Sequence, residues 1–481
     1  MAVDDLRIDQ IVKQVLERLE KEGITAGSLG QISMQSKVVT GRNGIHKTVD
    51  EAVAAARKAQ VRLMEMSLED RKKIIQAMRE AAISHAQELG RMAVEETGLG
   101  RVPHKIAKIV LAAEKTPGVE DIEPRAFSGD HGLTLVEKAP YGVVGSITPS
   151  TNPPSTIVNN GISMVAAGNA VVFNPHPGAK RVSNRAVEIL NQAIVSVGGP
   201  ENLLNSIESP TLETSEQLMS HKGVDLLVVT GGGVVVRKAM RSGKTTIAAG
   251  PGNPPVVVDE TADLDRAARC IVDGASFDNN VLCVAEKEII AVASIADELK
   301  RRMKSYGAYE ISGTDVERLM KVVFKDFSDP KHPTLNKEMV GKDAKYILAQ
   351  IGIHVSDEIR LIFCETDADH PFVWTEMLMP VIPLVCVSDV DEAIKLAVEV
   401  EQQNYHTAIM HSRNIESLSK MARLCNCNIF VKNGPSYAGL GYEGEGYTTL
   451  TIAGTTGDGL TSARTFTRER RCVLIDHFRI I

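Results

Sequence analysis

Apolar positions along this chain recur first at helical spacing and then in short runs that end in turns. In "DDLRIDQIVKQVLERLEKEG" (4–23), Ile8, Ile11, Val12, Val15, Leu16 and Leu19 fall on one helical stripe. Asp4 and Asp5 suit the positive start of such a helix and Gly23 its end. The pattern predicts an amphipathic helix over 1–22. The aperiodic, Gly/Ser/Thr-rich stretch that follows predicts a linker over 23–46. From 47 to 118 the period is again helical. After that, runs such as "GVVGSIT" (142–148), "NAVVFNP" (169–175), "DLLVVTGGG" (225–233) and "NPPVVVDE" (253–260) alternate with helical stretches such as "AKRVSNRAVEILNQAIVSVGG" (179–199). That alternation predicts a parallel sheet with helices on both faces.

A second α/β unit follows, with "EKEIIAVAS", "RLIFCE", "MPVIPLVCVSD", "HTAIMHS" and "NIFVKNG" as its strands. "GLTLVEKAPYGVV" (132–144) and "RRCVLIDHFRII" (470–481) read as strands outside the alternation, of the kind that pair between subunits. A chain of 481 residues exceeds one hydrophobic core, so two or three domains are expected.

Bulk properties narrow the function. A net charge of −7 gives no reason to expect nucleic acid as a partner. No apolar run approaches the ~20 residues of a membrane helix. The acidic start "MAVDDLRIDQ" is not a secretory signal. Seven scattered cysteines suit reduced thiols inside a cell better than a disulfide framework. Cys425 and Cys427 form a CxC without further Cys or His at metal spacing, so core thiols and no metal are expected there. His370, His406 and His411 read as surface or core residues, although His406 lies in the half expected to hold the active site.

Ligands on open parallel sheets bind beyond the carboxyl ends of the strands. Three predicted strand ends here carry small polar residues, prolines and glycines: "ITPSTNPPST", "VVFNPHPGAK" and "VVTGGGVVVRKAM". Glycines after the third would let backbone N–H groups approach a phosphate at a helix start. "RSGKTTIAAG" resembles the end of a triphosphate-binding loop, but Lys238 stands where that motif needs glycine, so it is rejected. Cys283, in "FDNNVLCVAEKE" (277–288), falls in a loop between a predicted helix and a predicted strand. On the residues alone it fits both a packed thiol and a nucleophile.

Taken together and in order, "TPSTNPPST", "VVTGGG", "GNPPVVVDETADL", "GASFDNNVLCVAEKE", "TEMLMPVIPLV" and "FVKNGPSYAG" resemble the aldehyde dehydrogenases over about 47–481, most closely the CoA-acylating branch of bacterial microcompartments. The resemblance implies an α/β fold divided into a Rossmann-type NAD-binding domain (47–124 and 145–258), a catalytic domain (259–464) and oligomerisation strands (125–144 and 465–481). It makes Cys283 the nucleophile and Asn152 the side-chain donor of the oxyanion hole. Thr148, Pro149, Ser150, Asn174, Pro175, His176, Thr230, Gly231, Gly232 and Glu376 are implied cofactor contacts. Glu376 would hold the nicotinamide ribose.

Asn174 stands where many relatives carry a lysine. NAD is favoured over NADP, because the first cation after "VVF" is Lys180. Ala249, in "AAGPGNPP", falls where the hydrolytic branch has a water-activating glutamate. The implied reaction joins a short aldehyde (propionaldehyde or acetaldehyde), coenzyme A and NAD to give acyl-CoA and NADH. A hydrolytic dehydrogenase, a non-redox cysteine acyltransferase and a catalytically dead shell-docking scaffold are the alternatives. Residues 1–22 resemble an encapsulation segment that docks to a microcompartment shell protein. The expected location is cytoplasmic, in the compartment lumen, and the expected assembly is a homodimer or homotetramer.

Overall fold

Two parallel sheets face one another across the region where most of the predicted site residues lie. The computed structural model describes residues 43–481. The helix expected over 1–22 and the linker as far as 42 lie outside the described residues. The last linker positions are not a tether: Ile45–His46 forms a short strand, β1, paired with a strand of the first sheet.

Four helices follow: α1 (Val49–Glu65), α2 (Leu68–Ser84), α3 (Ala86–Thr97) and α4 (Val102–Lys115). Thr48 and Glu51 make a reciprocal capping box at the start of α1. Ser67 accepts from Asp70 N–H at the start of α2. Gly98, at φ 68°, closes α3 in the left-handed region.

Strands β2 (Arg125–Gly129) and β3 (Gly132–Pro140) form an antiparallel arm. The first large sheet then takes β4 (Val143–Thr148), β5 (Ala170–Pro175), β6 (Leu204–Ile207), β7 (Leu226–Thr230) and β8 (Thr246–Ala249) in the order β1-β6-β5-β4-β7-β8, all parallel. Its crossover helices are α5 (Pro153–Ala166), α6 (Lys180–Ser196), α7 (Leu212–Ser220) and α8 (Gly233–Met240). Every residue of β4, β5 and α5 is buried, as a strand covered on both faces requires.

The second sheet contains β9 (Pro255–Val258), β10 (Glu288–Val292), β11 (Ala308–Glu310), β12 (Leu361–Glu365), β13 (Val381–Val387), β14 (Thr407–His411) and β15 (Ile429–Lys432). Its order is β11-β12-β13-β10-β9-β14-β15, again all parallel. Helix α9 (Leu264–Ser276) leads from β9 toward Cys283. Strand β16 (Thr467–Ile475) returns to pair along the whole of β3 and completes the arm.

Three sequence boundaries move. Pro255–Val258, grouped by sequence with the NAD-binding unit, pairs with β10 and β14 in the second sheet. Val143 and Val144, grouped with the arm, belong to β4 of the first sheet. Ala453 and Ala463 pack in the core of the first unit, although the sequence put 259–464 in the second. Local pattern cannot assign a strand to one of two similar sheets, because pairing partners are set by long-range contacts.

Candidate active site

Turns at the carboxyl ends of β4, β5, β7 and β8 meet residues from loops that precede β10, β13 and β14. They enclose a cleft of about 440 Å³. Ligand space therefore lies between the carboxyl ends of one sheet and the amino ends of the other. Thr148, Pro149, Ser150, Asn152, Asn174, Pro175, His176, Thr230, Gly231, Gly232, Cys283 and Glu376 all line it. Ala249 lines it too.

Cys283 is placed by an unusual turn. Asp278, Asn279 and Asn280 have φ values of 51°, 55° and 64°, three consecutive left-handed residues. Asp and Asn tolerate this region better than other side chains, and their own bonds hold the turn. Asn279 Nδ2 donates to Gly341 O and Asp343 Oδ1, both at 2.9 Å. Asn280 Nδ2 donates to Ala275 O and Glu286 O, and Asn280 Oδ1 accepts from Lys287 Nζ at 2.5 Å. The "DNN" of the sequence is thus the device that turns the chain out of α9 and presents Cys283.

Burial pushes the Cys283 thiol up to about 11, helped by the charge of Glu376 and opposed by Lys287 and Lys108. His406 is buried on the cleft wall. Burial, and then the charge of Lys287, push its imidazole down to about 4, so it is neutral across the physiological range. Its Nδ1 pairs with Thr407 Oγ1 at 2.9 Å. Gly252 separates the two: a Cβ there would stand 2.8 Å from Cys283 O and 2.9 Å from His406 Cγ. Only glycine lets the Cys283 loop and the imidazole approach this closely.

The thiolate is the reactive form. Iodoacetamide labelling of Cys283, followed by peptide mass spectrometry without cofactor, is therefore expected to be slow at pH 7 and to accelerate beyond pH 10. A plateau below pH 8 would show that the resting thiol is already ionised.

The remaining wall suits a nicotinamide dinucleotide. Gly232 caps α8, and a Cβ on Gly231 or Gly232 would meet nothing within 4 Å, so the backbone is open to a phosphate at a helix start. The buried hydroxyl of Thr148 has no partner among the described residues. Burial pushes the Glu376 carboxyl up, whereas Lys287 and the Gly252 N–H favour its charged form.

Asn174 lines the cleft, but its amide is engaged elsewhere. Its Nδ2 donates to Ser215 Oγ and its Oδ1 accepts from Thr214 Oγ1, each at 2.7 Å. A ribose contact from Asn174 would have to break one of these bonds. Sequence reasoning missed His406 as a site residue. Its only signal was its position one residue before a strand, on the end opposite to the one the strand-end rule favours.

The chain is similar to known proteins over most of its length. The model of the aldehyde dehydrogenase family matches residues 32–319. The acetaldehyde dehydrogenase (acetylating) EutE of Salmonella typhimurium is 52% identical over 475 residues, covering 98% of this chain and 99% of that protein. The crystal structure of Rhodopseudomonas palustris propionaldehyde dehydrogenase, with bound CoA and an acylated cysteine, superposes with a TM-score of 0.88 at 51% identity, covering 90% of this chain and 98% of that one. A propionaldehyde dehydrogenase from the fucose utilisation bacterial microcompartment of Clostridium phytofermentans gives a TM-score of 0.89 at 48% identity, covering 91% of this chain and 100% of that one.

Proposed function

The chain belongs to the aldehyde dehydrogenase family, and from that premise we propose that Cys283 is the residue on which it acylates and then releases its substrate. The activity is the CoA-acylating one: a short-chain aldehyde such as acetaldehyde or propionaldehyde, coenzyme A and the oxidised nicotinamide cofactor give acyl-CoA and the reduced cofactor. NAD is the preferred form, because the wall beyond β5 offers Asn174 and His176 and no cation before Lys180. Thr148, Gly231, Gly232 and Glu376 hold the cofactor, the glycines at its phosphates and the carboxylate at a ribose. Bound there, the nicotinamide supplies the hydride acceptor.

The residues of the chain do the rest. Burial penalises the Cys283 thiolate and the His406 imidazolium separately. Formed together they neutralise each other, so the proton passes from Sγ to the imidazole as the sulfur adds to the carbonyl carbon. Asn152 Nδ2 and the Cys283 backbone N–H stabilise the resulting alkoxide. As the carbonyl re-forms and hydride leaves, an acyl thioester remains on Sγ. His406 gives the first proton to solvent, CoA sulfur then attacks that thioester while His406 takes the CoA thiol proton, and Cys283 departs as thiolate and recovers that proton from the imidazolium.

The observation that carries this reading is the pairing of a cleft-lining Cys283 with Ala249. Water needs a general base to attack a thioester efficiently, whereas the more acidic CoA thiol needs less help. With aldehyde and NAD but no CoA, NADH should form in an amount equal to the active sites and then stop. Sustained turnover without CoA would overturn the reading.

The arm of β2, β3 and β16 exposes Phe127, Val473, Leu474, Ile475, Phe478, Ile480 and Ile481. An apolar strip of this size on a protruding sheet favours assembly with a second copy of the chain. Residues 1–22 dock the enzyme to a microcompartment shell protein, which places it in the lumen. That location confines a reactive aldehyde with the enzyme that consumes it.

A further inference from the structure

The loops carrying Cys283 and Asn152 are tied to one buried cluster on α4 that the reaction described above does not use. His104, Lys105 and Lys108 are all buried, and two ammonium groups converge on the single carboxylate of Asp278. Buried ion pairs of this kind contribute little net stability, since well-packed apolar side chains would serve as well. Their partners here are specific.

Lys105 Nζ donates to Thr151 O at 2.6 Å and pairs with Asp278 at 2.7 Å. Lys108 Nζ donates to Asn152 Oδ1 at 2.5 Å, to Val281 O at 3.1 Å and to the Asp278 carboxylate. Asp278 also accepts from Arg101 N–H at 2.8 Å, and its own N–H donates to His104 Nδ1 at 2.7 Å. Gly100 makes room for it, since a Cβ there would lie 2.1 Å from Asp278 Oδ1. One end of α4 thus grips the oxyanion loop at Thr151 and Asn152 and the nucleophile loop at Asp278 and Val281.

The contacts also settle which way the Asn152 amide points. An ammonium donates three hydrogen bonds and accepts none. Lys108 meets a carboxylate oxygen, a backbone carbonyl and the Asn152 side chain, so the Asn152 atom facing it is oxygen. Nδ2 is turned the other way, its partner among the described residues being Thr151 Oγ1 at a long 3.4 Å. Burial pushes the Lys108 ammonium down to about 7, opposed by the Asp278 carboxylate; in its charged form the bond at Oδ1 draws electron density onto the oxygen and strengthens the amide N–H as a donor.

We infer that Lys108 is a positioning residue for the reaction: it fixes and polarises the Asn152 amide so that Nδ2 meets the developing alkoxide, and it locks that donor to the loop bearing Cys283. The inference rests on the reading of Asn152 as the oxyanion donor. Lys108 itself is not among the residues that line the cleft.

A double-mutant cycle tests it. Asn152→Ala is expected to lower kcat by ~10²–10³ and Lys108→Met by ~10². In the Asn152→Ala background, Lys108→Met should cost less than about threefold more, because the group it acts through is already gone. The KM for NAD should stay within about twofold throughout, which also reports that the variants fold. If Lys108→Met proves insoluble, Lys108→Gln, neutral but still a donor, carries the same cycle. An equal loss from the Lys108 substitution in both backgrounds, or no loss in the wild-type background, overturns the inference. Full activity of Asn152→Ala alone instead overturns the reading of the oxyanion donor, and the inference falls with it.

Discussion

Replacing Cys283 with Ala is expected to lower NADH formation by at least ~10⁴-fold, the scale seen when a catalytic nucleophile is removed. NAD should still bind, since the cofactor wall is built from other residues. No other thiol can substitute. Cys283 is the one cysteine that lines the cleft. Burial holds Cys270 and Cys364 protonated as buried thiols of α9 and β12, and Cys472 is exposed on the arm. Intact-mass measurement of the wild-type enzyme after aldehyde and NAD without CoA should show one acyl group per chain, on the peptide containing residue 283. The variant should show none. Residual turnover above a few per cent in Cys283→Ala, or an adduct on another cysteine, would move the chemistry away from this residue.

His406→Ala should give the second largest effect, a ~10²–10³-fold fall in kcat at pH 7, the usual contribution of a general base. The pH dependence follows from the two shifts. In the wild type the imidazole is neutral above about 4 and available as a base. Without it the proton must go to solvent, and the thiol, pushed up to about 11, ionises only as pH rises. The variant should therefore recover about tenfold per pH unit between 7 and 9, and the gap to wild type should narrow. A variant that keeps a flat profile near the wild-type rate would assign His406 a packing role beside Gly252 instead.

Why the second of these residues was not legible in the sequence is instructive. Cys283 drew notice because it falls in a loop between a predicted helix and a predicted strand, and the ordered motifs around it match a family. His406 lies in "QNYHTAIM", where nothing in composition or period separates it from a core histidine. It precedes β14, and the rule that ligands sit beyond carboxyl ends of strands points away from it. The rule holds for the first sheet. The second sheet presents its amino ends to the same cleft, an orientation that follows from how two units pack and from no local pattern. Lys105 and Lys108 were hidden for a related reason. Nothing in the helical period of 47–118 marks them as buried, and only Asp278, some 170 residues later in the chain, makes their burial tolerable.

The sequence by itself determined the local elements, the alternation that makes the sheets parallel and the glycine turn after β7. These follow from nearest neighbours in the chain: side-chain period, turn chemistry and residue identity. Tertiary structure alone decided that β9 joins the second sheet, that Asn174 is spent on α7, that the His406 ring and the Cys283 backbone both pack against Gly252, and that two buried lysines hold Thr151 and Asn152. Each of those depends on contacts between residues far apart in sequence, and on a low-dielectric interior that changes what a charge or a thiol can do once it is enclosed.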